Sequence, residues 1–277
     1  MDEIIRVMGR THGRDISHYD PLFLVKSIEK RFAATGIKSA AAYSSFLEQN
    51  SAEAEVFFDS LRITYSEFFR NPLTFALLEQ LILPGLAEEK KKAGRPEIRV
   101  WSAGCAAGQE AYSIAMLLDE LADDRGNAVA FRIFGTTRSA VELASARQGV
   151  YDSAALRNVR LKHIHKYFHL KGESYRIIDG LRDRVDFSLY DLLDECSVCP
   201  PASIYGDFDL VICSNLLFYY RPDIRQLILE KVYRALTLGG YLSTGEAERE
   251  IVAKHEGLRA VVSPSAVFQK TRGRWDL

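Results

Sequence analysis

Residues 98–118 read IRVWSAGCAAGQEAYSIAMLL and decide the fold class. An apolar strand pattern ends at Ala103, small residues run to Gly108, and an apolar pattern with helical spacing follows from Tyr112. In open α/β sheets, ligands sit beyond the carboxyl ends of strands, where glycines and a helix N-terminus let backbone approach them. The spacing is neither a dinucleotide G-x-G-x-x-G nor a P-loop with its lysine. The segment therefore predicts either a ligand-binding turn or a tight structural turn.

Strands alternate with helices after this segment. The further predicted strands span four ranges: 128–134, 208–213, 241–244 and 266–270. Helices open at Ser139, which has capping-box spacing to Glu142, and at Pro222, whose helix runs to about Leu238. Such alternation predicts a parallel, Rossmann-like α/β sheet. Residues 150–187 hold aromatics and short β-like runs, which predict a small inserted β-subdomain.

The first ninety residues show helical patterns instead. Helices are predicted to open at four positions: Asp20, Ser39, Ser51 and Pro72. The first of these helices is expected to end at Gly36 and to carry a mainly apolar stripe: Leu22, Val25, Ile28, Glu29 and Phe32. Another side carries Lys26, Lys30 and Arg31, either a solvated polar face or a docking surface. A charge run before Pro96 predicts a boundary, with a helical domain over 1–90 and an α/β domain over 91–277.

Composition excludes several classes of protein. The chain has 277 residues, of which 47% are hydrophobic and 26% charged, which is ordinary for a globular protein. Its 36 basic and 37 acidic residues give a net charge of -1, which disfavours a broad nucleic-acid surface. No run of eighteen apolar residues and no signal pattern is present, so a cytoplasmic protein without a membrane helix is predicted.

The cysteines give no metal signature. Cys196 and Cys199 form a C-x-x-C pair, but a second pair or nearby histidine that would complete a zinc site is missing from the sequence. We expect the four cysteines to be reduced structural thiols, and we predict no bound metal.

Two further segments place polar groups where strands or helices meet. Residues 64–72 read TYSEFFRNP, which is either a packed helix junction or part of a site. Residues 213–220 read CSNLLFYY and put polar groups after an apolar strand. That segment is either the end of a core strand or one wall of the ligand crevice.

Taken together, these segments resemble the CheR-type chemotaxis receptor methyltransferases, which transfer a methyl group from S-adenosylmethionine (SAM) to protein glutamates. The resemblance runs from about Ile16 to Glu248. Its other matching segments are residues 101–113, 146–151, 187–194, 239–242 and 245–246. It implies an all-α N-terminal domain that contacts receptor helices, followed by a seven-strand SAM-binding domain with a small inserted β-subdomain.

The resemblance also implies roles for individual residues. Arg70 would be a catalytic positioning charge beside the reactive centre, and Tyr219 an active-site tyrosine that orients by a hydrogen bond. The cofactor-binding positions would be Thr64, Ser66, Arg70, Gly104, Glu110, Thr137, Asp191, Leu192, Cys213, Ser214 and Asn215. SAM would be the cofactor and S-adenosylhomocysteine (SAH) the product.

Several positions depart from the family pattern. Thr137 stands where the family has an Asp for the ribose hydroxyls, and Ser214 replaces an Arg that would attract the substrate carboxylate. Gln109 replaces the first Glu of a Glu-Glu pair, while Thr64 and Asp191 each replace an Asn. Losing a charged hydrogen bond costs about 1.5–3 kcal/mol, roughly ten- to a hundredfold in affinity.

The sequence therefore supports two functions. One is an active methyltransferase for glutamates of a chemoreceptor or a similar helical signalling protein, whose acidic segments would dock on Lys26, Lys30 and Arg31. The other is a degenerate methyltransferase that binds SAM, SAH or neither and acts as a regulatory or scaffold protein. The helical N-terminus and near-neutral charge disfavour a small-molecule or nucleic-acid substrate. A monomer without membrane insertion is expected.

Overall fold

The structure, a computed structural model, describes residues 1–62, 65–94, 97–125, 129–203 and 206–271. Two compact units make up the chain. One contains Met1–Ile63 and Leu217–Gln226, and the other contains Thr64–Leu216 and Leu227–Leu277. The domain boundary near residue 90 stays a prediction. No helix in the described part of the chain is long and apolar enough to cross a membrane.

The first unit is built from helices with well-defined ends. They are α1 (Asp2–His12), α2 (Pro21–Thr35), α3 (Ala40–Gln49) and α4 (Ser51–Ser60). Asp20 caps α2 by accepting a hydrogen bond from the Leu22 amide, and Gly36 ends it in a left-handed conformation. The Ser39 and Asn50 side chains cap α3 and α4 in the same way. These helix starts were predicted, because each depends on a local capping residue.

The predicted stripe of α2 is only partly correct. Leu24 and Ile28 are buried, whereas Leu22 is 73% exposed and Val25 is also exposed. Arg31 is paired within the unit, because its guanidinium donates to both carboxylate oxygens of Glu53, at 2.8 and 2.7 Å. The pattern placed Arg31 beside Lys26 and Lys30 by charge, but burial against α4 gives it a structural partner. Lys26 and Lys30 remain exposed.

Residues before the sheet form one continuous helical stretch in the second unit. It comprises α5 (Pro72–Leu77), a π-helical turn (Leu78–Ile82) and α6 (Leu83–Lys92). Phe75, Leu78 and Ile82 are buried in the core of this unit, as their spacing predicts, but Leu81 is 51% exposed. The wider π turn shifts the helical phase, so an apolar position in the sequence pattern turns outward.

The second unit contains a seven-stranded sheet with the order β6-β2-β1-β7-β8-β10-β9. The strands are β1 (Glu97–Ala103), β2 (Ala130–Thr137), β6 (Val185–Leu189), β7 (Phe208–Cys213), β8 (Leu236–Thr244), β9 (Leu258–Ala260) and β10 (Val267–Lys270). The pairs from β6 to β8 are parallel, while β10 is antiparallel to both β8 and β9. The predicted Rossmann-like α/β fold is confirmed.

The remaining helices connect these strands. They are α7 (Gln109–Arg125), α8 (Ala140–Gln148), α9 (Leu161–Tyr167), α10 (Asp179–Arg182), α11 (Pro222–Ala235) and α12 (Arg249–Val252). The sequence analysis extended α11 to about Leu238 and began β8 after the glycines, and both bounds are wrong. β8 begins at Leu236, and its pairing with β7 shifts register between Phe208 and Leu210. Gly239 and Gly240 lie in this irregular part of the strand, where glycine is tolerated.

A small antiparallel sheet interrupts the main one in sequence. It has the order β3-β5-β4, with β3 (Val150–Tyr151), β4 (Phe168–Lys171) and β5 (Ser174–Ile177). The predicted β-subdomain is therefore present, but residues from Val185 onward belong to the main sheet. Phe168 and Ile177 pair across the hairpin and are both buried in the main core of the unit.

The four cysteines are free thiols, with Cys105 and Cys213 buried. Among the described residues, no group of three or more His, Cys, Asp or Glu side chains is arranged to hold a metal ion.

Candidate cofactor site

The candidate site lies at one edge of the main sheet. From β1 the chain moves outward through β2 to β6, and it then crosses to β7 and β8 on the other side of β1. This reversal of strand order opens a crevice at the carboxyl ends of the strands, where open α/β folds bind ligands. Predicted residues lie at or just after four of those ends, namely Ala103, Thr137, Leu189 and Cys213, whereas Ser66 and Arg70 come from the segment before α5.

The turn after β1 is tightly fixed. Gly104 and Gly108 have φ of 74° and 91°, a backbone region that favours glycine. The Cys105 amide donates to the Thr136 carbonyl at 2.8 Å, so the turn is joined to the end of β2. A Cβ at Gly108 would lie 3.0 Å from the Phe187 ring, so close packing also requires this glycine. The structural interpretation of the turn is thus correct, and Gly104 nevertheless leaves exposed backbone at the crevice.

Glu110 follows in the first turn of α7 and carries the most perturbed carboxyl at the site. Burial raises its pKa to about 7, and the charge of Glu248 acts in the same direction. Hydrogen bonding to the Ser102 hydroxyl, at 2.9 Å, and to Ser214, together with the charge of Arg70, oppose this rise. A carboxyl with a pKa near neutrality in a crevice indicates a functional position. The structure therefore brings Glu110, Ser214 and Arg70 together.

Arg70 is presented by the segment before α5. The preceding Phe69 has φ of 51°, and its amide donates to the Ser113 hydroxyl on α7 at 3.1 Å. The Arg70 guanidinium lies over the Tyr65 ring, 4.9 Å from its centroid, and donates to the Tyr65 carbonyl at 3.4 Å. Ser66 lies in the same segment and is partly exposed. Thr64 is outside the described residues.

The end of β2 carries a neutral side chain joined to a charged one. Thr137 is buried, and its hydroxyl donates to Oε2 of Glu142 at 2.9 Å. The sequence pattern predicts only a capping role for Glu142. The sequence shows that Glu142 lies five residues after the end of the strand. It does not show in which direction the Glu142 side chain points from the start of α8.

The end of β6 carries an ion pair. An oxygen of the Asp191 carboxylate lies 3.4 Å from Nε of Arg138, and the other oxygen accepts a hydrogen bond from the Leu193 amide at 2.9 Å. Leu192 is buried beside it. Arg138 was also missed, because its role depends on the neighbouring strand end rather than on a local motif.

The end of β7 is held by a buried carboxylate. Asn215 has φ of 57°, and its amide donates to Oε2 of Glu248 at 2.7 Å. The same oxygen accepts hydrogen bonds from the Thr244 hydroxyl and the Gly245 amide. Glu248 therefore fixes the backbone after the strand, although sequence analysis gave it no role. Cys213 is buried, and burial raises the pKa of its thiol well above the ordinary value.

Tyr219 belongs to the helical unit. It lies in a 3-10 turn (Leu217–Tyr219), and its ring meets Phe23 edge-on at 4.9 Å between centroids. The Asp20 amide donates to its carbonyl at 2.8 Å, which joins this segment to the start of α2. Its active-site role stays a prediction.

The residues at the sheet edge fit SAM chemically. Glu110, Glu142 and Asp191 supply carboxylates close to the ends of β1, β2 and β6. SAM carries an ammonium group and a sulfonium, whose positive charges a carboxylate attracts. It also carries two ribose hydroxyls, which can donate hydrogen bonds to a carboxylate. The N-terminus of α7 offers backbone N–H groups for an anionic end of a ligand.

The fold and this acidic edge define a SAM-binding α/β methyltransferase domain. The sequence pattern of "CheR methyltransferase, SAM binding domain" matches residues 64–266. The chain belongs to the CheR methyltransferase family.

Similar proteins agree with this assignment. "Chemotaxis protein methyltransferase 1" of Pseudomonas aeruginosa is 33% identical, across 89% of this chain and 89% of its own. "Chemotaxis protein methyltransferase" of Borreliella burgdorferi is 26% identical, across 90% of this chain and 87% of its own. An uncharacterized 104.1 kDa protein of Rhodobacter capsulatus is 28% identical across 89% of this chain, which spans only 25% of that protein.

A solved structure of a TehB-like SAM-dependent methyltransferase from Corynebacterium glutamicum covers 80% of this chain and 97% of its own, at 16% identity. Its TM-score is 0.36, which is too low to support a conclusion.

Proposed function

We propose that this chain transfers the methyl group of SAM to glutamate side-chain carboxylates of a chemoreceptor-like protein in the cytoplasm. One observation carries the proposal: the CheR SAM-binding domain spans residues 64–266, and curated relatives named chemotaxis protein methyltransferase match along most of their length. The acceptor, its glutamates and the cellular location come from this kinship and from the sequence.

The reaction needs positioning more than proton transfer. A glutamate with an ordinary pKa of about 4.3 is already ionised at pH 7, so no general base has to create the nucleophile. When bound, SAM supplies a methyl group on a positively charged sulfur. A bond forms between the carboxylate oxygen and the methyl carbon while the carbon–sulfur bond breaks, giving a methyl ester and neutral SAH. The protein aligns the three atoms and excludes water.

We assign Arg70 the task of attracting the acceptor carboxylate. Its guanidinium is already stacked on Tyr65 and under the influence of the Glu110 charge. Because the Arg70 charge interacts with Tyr65 and Glu110 as well, its ion pair with the acceptor carboxylate is weakened. The acceptor oxygen therefore keeps its nucleophilicity. Tyr219 stays a predicted orienting hydrogen-bond donor.

The proposal is tested by incubating the chain with SAM and the purified cytoplasmic segment of a chemoreceptor. We expect methyl esters on glutamates, mapped by mass spectrometry and released as methanol by mild base. Arg70→Ala should lower kcat/KM by about ten- to a hundredfold, as expected for loss of a charged positioning group. Arg259→Ala removes an exposed arginine of β9 and should leave kcat/KM unchanged. No ester on any receptor segment, from a chain that binds SAM, would contradict the proposal.

A SAM- or SAH-binding regulatory protein is the second candidate. The observation in its favour is that Thr137 and Ser214, at the ends of β2 and β7, are neutral. Binding of SAH without ester formation is the result that this candidate predicts.

A further inference from the structure

The carboxylate of Glu142 is held at the end of β2 by a hydrogen bond from Thr137, which is itself part of a short local network. The Thr137 hydroxyl donates to its Oε2 at 2.9 Å, and the Ser139 amide donates to that hydroxyl at 3.2 Å. The Ser139 side chain in turn accepts from the Glu142 amide at 3.3 Å and caps α8. The first turn of the helix and the strand end therefore fix each other, with Glu142 partly buried between them.

This carboxylate also lies close to the turn after β1. The Cys105 amide joins that turn to the carbonyl of Thr136, the residue before Thr137. Burial raises the pKa of the Cys105 thiol, and the charges of both Glu110 and Glu142 add to the rise. The two carboxylates thus act on the same thiol, beside the exposed backbone of Gly104. Glu142 belongs to the crevice and not to the outer surface of α8.

In doubly wound folds, an acidic side chain after the second strand accepts hydrogen bonds from the ribose hydroxyls of the bound nucleotide. Here that strand ends in Thr137, whose uncharged hydroxyl could offer a ribose only a neutral hydrogen bond. We propose that Glu142 is the ribose-binding carboxylate of this chain, positioned by the Thr137 hydroxyl.

The chemistry of a carboxylate allows this double role. Its two oxygens offer about four acceptor sites, so one bond from Thr137 is compatible with bonds from a ribose diol. Thr137 then acts as a positioning residue, because its hydroxyl contacts the carboxylate. The inference depends on SAM binding by the family domain and is independent of the methyl acceptor.

Calorimetric titration with SAH tests the proposal. We expect Glu142→Gln to weaken SAH binding by about ten- to a hundredfold, because a charged acceptor is lost. Glu173→Gln makes the same change of charge in the exposed β4–β5 turn and should leave the affinity unchanged. Thr137→Asp in the Glu142→Gln background puts a carboxylate directly on the strand end and should restore most of the affinity.

An SAH analogue lacking both ribose hydroxyls separates ribose contact from a general effect of charge. It should bind the wild type about as weakly as Glu142→Gln binds SAH, and it should bind wild type and variant within about twofold of each other. Equal SAH affinity of wild type and Glu142→Gln would overturn the proposal, and so would an equal loss for both ligands. If Glu142→Gln does not fold, the wild type alone tests the proposal. Equal affinity of the wild type for SAH and for the analogue would then overturn it.

The failure of this inference and of the proposed function are distinguishable. Tight SAH binding that depends on Glu142, without any glutamate ester, leaves the inference intact and contradicts only the proposed function. Ester formation by a Glu142→Gln variant with unchanged SAH affinity contradicts only the inference.

Discussion

At the scale of single residues, the site combines local motifs with contacts that no motif reveals. Glu110 was identified from the sequence because it opens the helix after the glycine turn. Its pKa is raised by burial and by the charge of Glu248, while the charge of Arg70 opposes the rise, and both of these residues come from distant parts of the chain. Glu142 shows the same limit, since the sequence gives its spacing to Ser139 but not its bond to Thr137.

The raised pKa of Glu110 predicts a pH-dependent stability. Its carboxyl titrates near 4.5 when exposed and at about 7 in the folded chain. The folded state therefore holds the proton more tightly, and stability falls as pH rises from about 4.5 to 7. Glu110→Gln should remove this fall, so its stability relative to the wild type should rise by about 3 kcal/mol between pH 4 and pH 8.

Denaturant unfolding of both proteins between pH 4 and 8 measures this difference. Glu173→Gln, at an exposed position, serves as the control and should follow the wild-type curve. A difference between Glu110→Gln and wild type that does not change with pH would refute the assignment.

At the scale of elements, most helix and strand positions followed from the sequence. Capping residues located α2 and α3, and α4 begins at Ser51 as predicted, although Asn50 is its cap. Apolar runs located β1 and β7 within one residue. The sequence pattern differs from the structure at the π turn of Leu78–Ile82, at the irregular start of β8, and at Arg31, which pairs with Glu53. The last two involve partners far away in sequence, Phe208 for β8 and Glu53 for Arg31, which periodicity does not contain.

Arg31 provides a test at this scale. Burial alone would raise the pKa of Glu53, but hydrogen bonds from Arg31 and Tyr43 outweigh it and hold that pKa below the ordinary value. Arg31→Ala leaves the buried carboxylate without its cation and should cost about 3 kcal/mol at pH 7. Lys30→Ala, on the exposed part of the same helix, should change stability by less than about 0.5 kcal/mol.

Thermal unfolding of the two variants distinguishes structural from docking roles. Because the pKa of Glu53 is lowered by folding, the loss in Arg31→Ala should shrink as pH falls through that pKa. Equal melting temperatures for wild type and Arg31→Ala at pH 7 would show that Arg31 does not stabilise the fold and would favour a docking role for it.

Packing between β2 and β6 gives a second test. A Cβ at Gly135 would lie 2.5 Å from Cδ1 of Phe187, so Gly135→Ala should cost about 2 kcal/mol or more. Gly180→Ala, in α10 with open space around it, is the matched control and should be nearly neutral. Phe187→Leu should recover part of the loss in Gly135→Ala. A wild-type melting temperature for Gly135→Ala would show that the two strands do not pack this closely.

At the scale of the whole molecule, family resemblance and physical reasoning both indicate a SAM-binding domain, but only the structure shows which residues lie next to each other at the site. The ordered segments of the sequence predicted the fold and the cofactor correctly. They also predicted a weakened ribose site at Thr137, because the sequence shows the substitution at that position but not which residue lies beside it in the fold. In the structure the Thr137 hydroxyl donates to the carboxylate of Glu142, and the proposed ribose contact of Glu142 would offset the substitution.

The most direct test of this account is calorimetric titration of the purified chain with SAH. The account predicts binding at about micromolar strength, equivalent to about -8 kcal/mol. A folded chain that shows no binding at about millimolar SAH would contradict it, because its binding free energy would be weaker than about -4 kcal/mol. That result would leave a methyltransferase fold that acts through protein contacts alone.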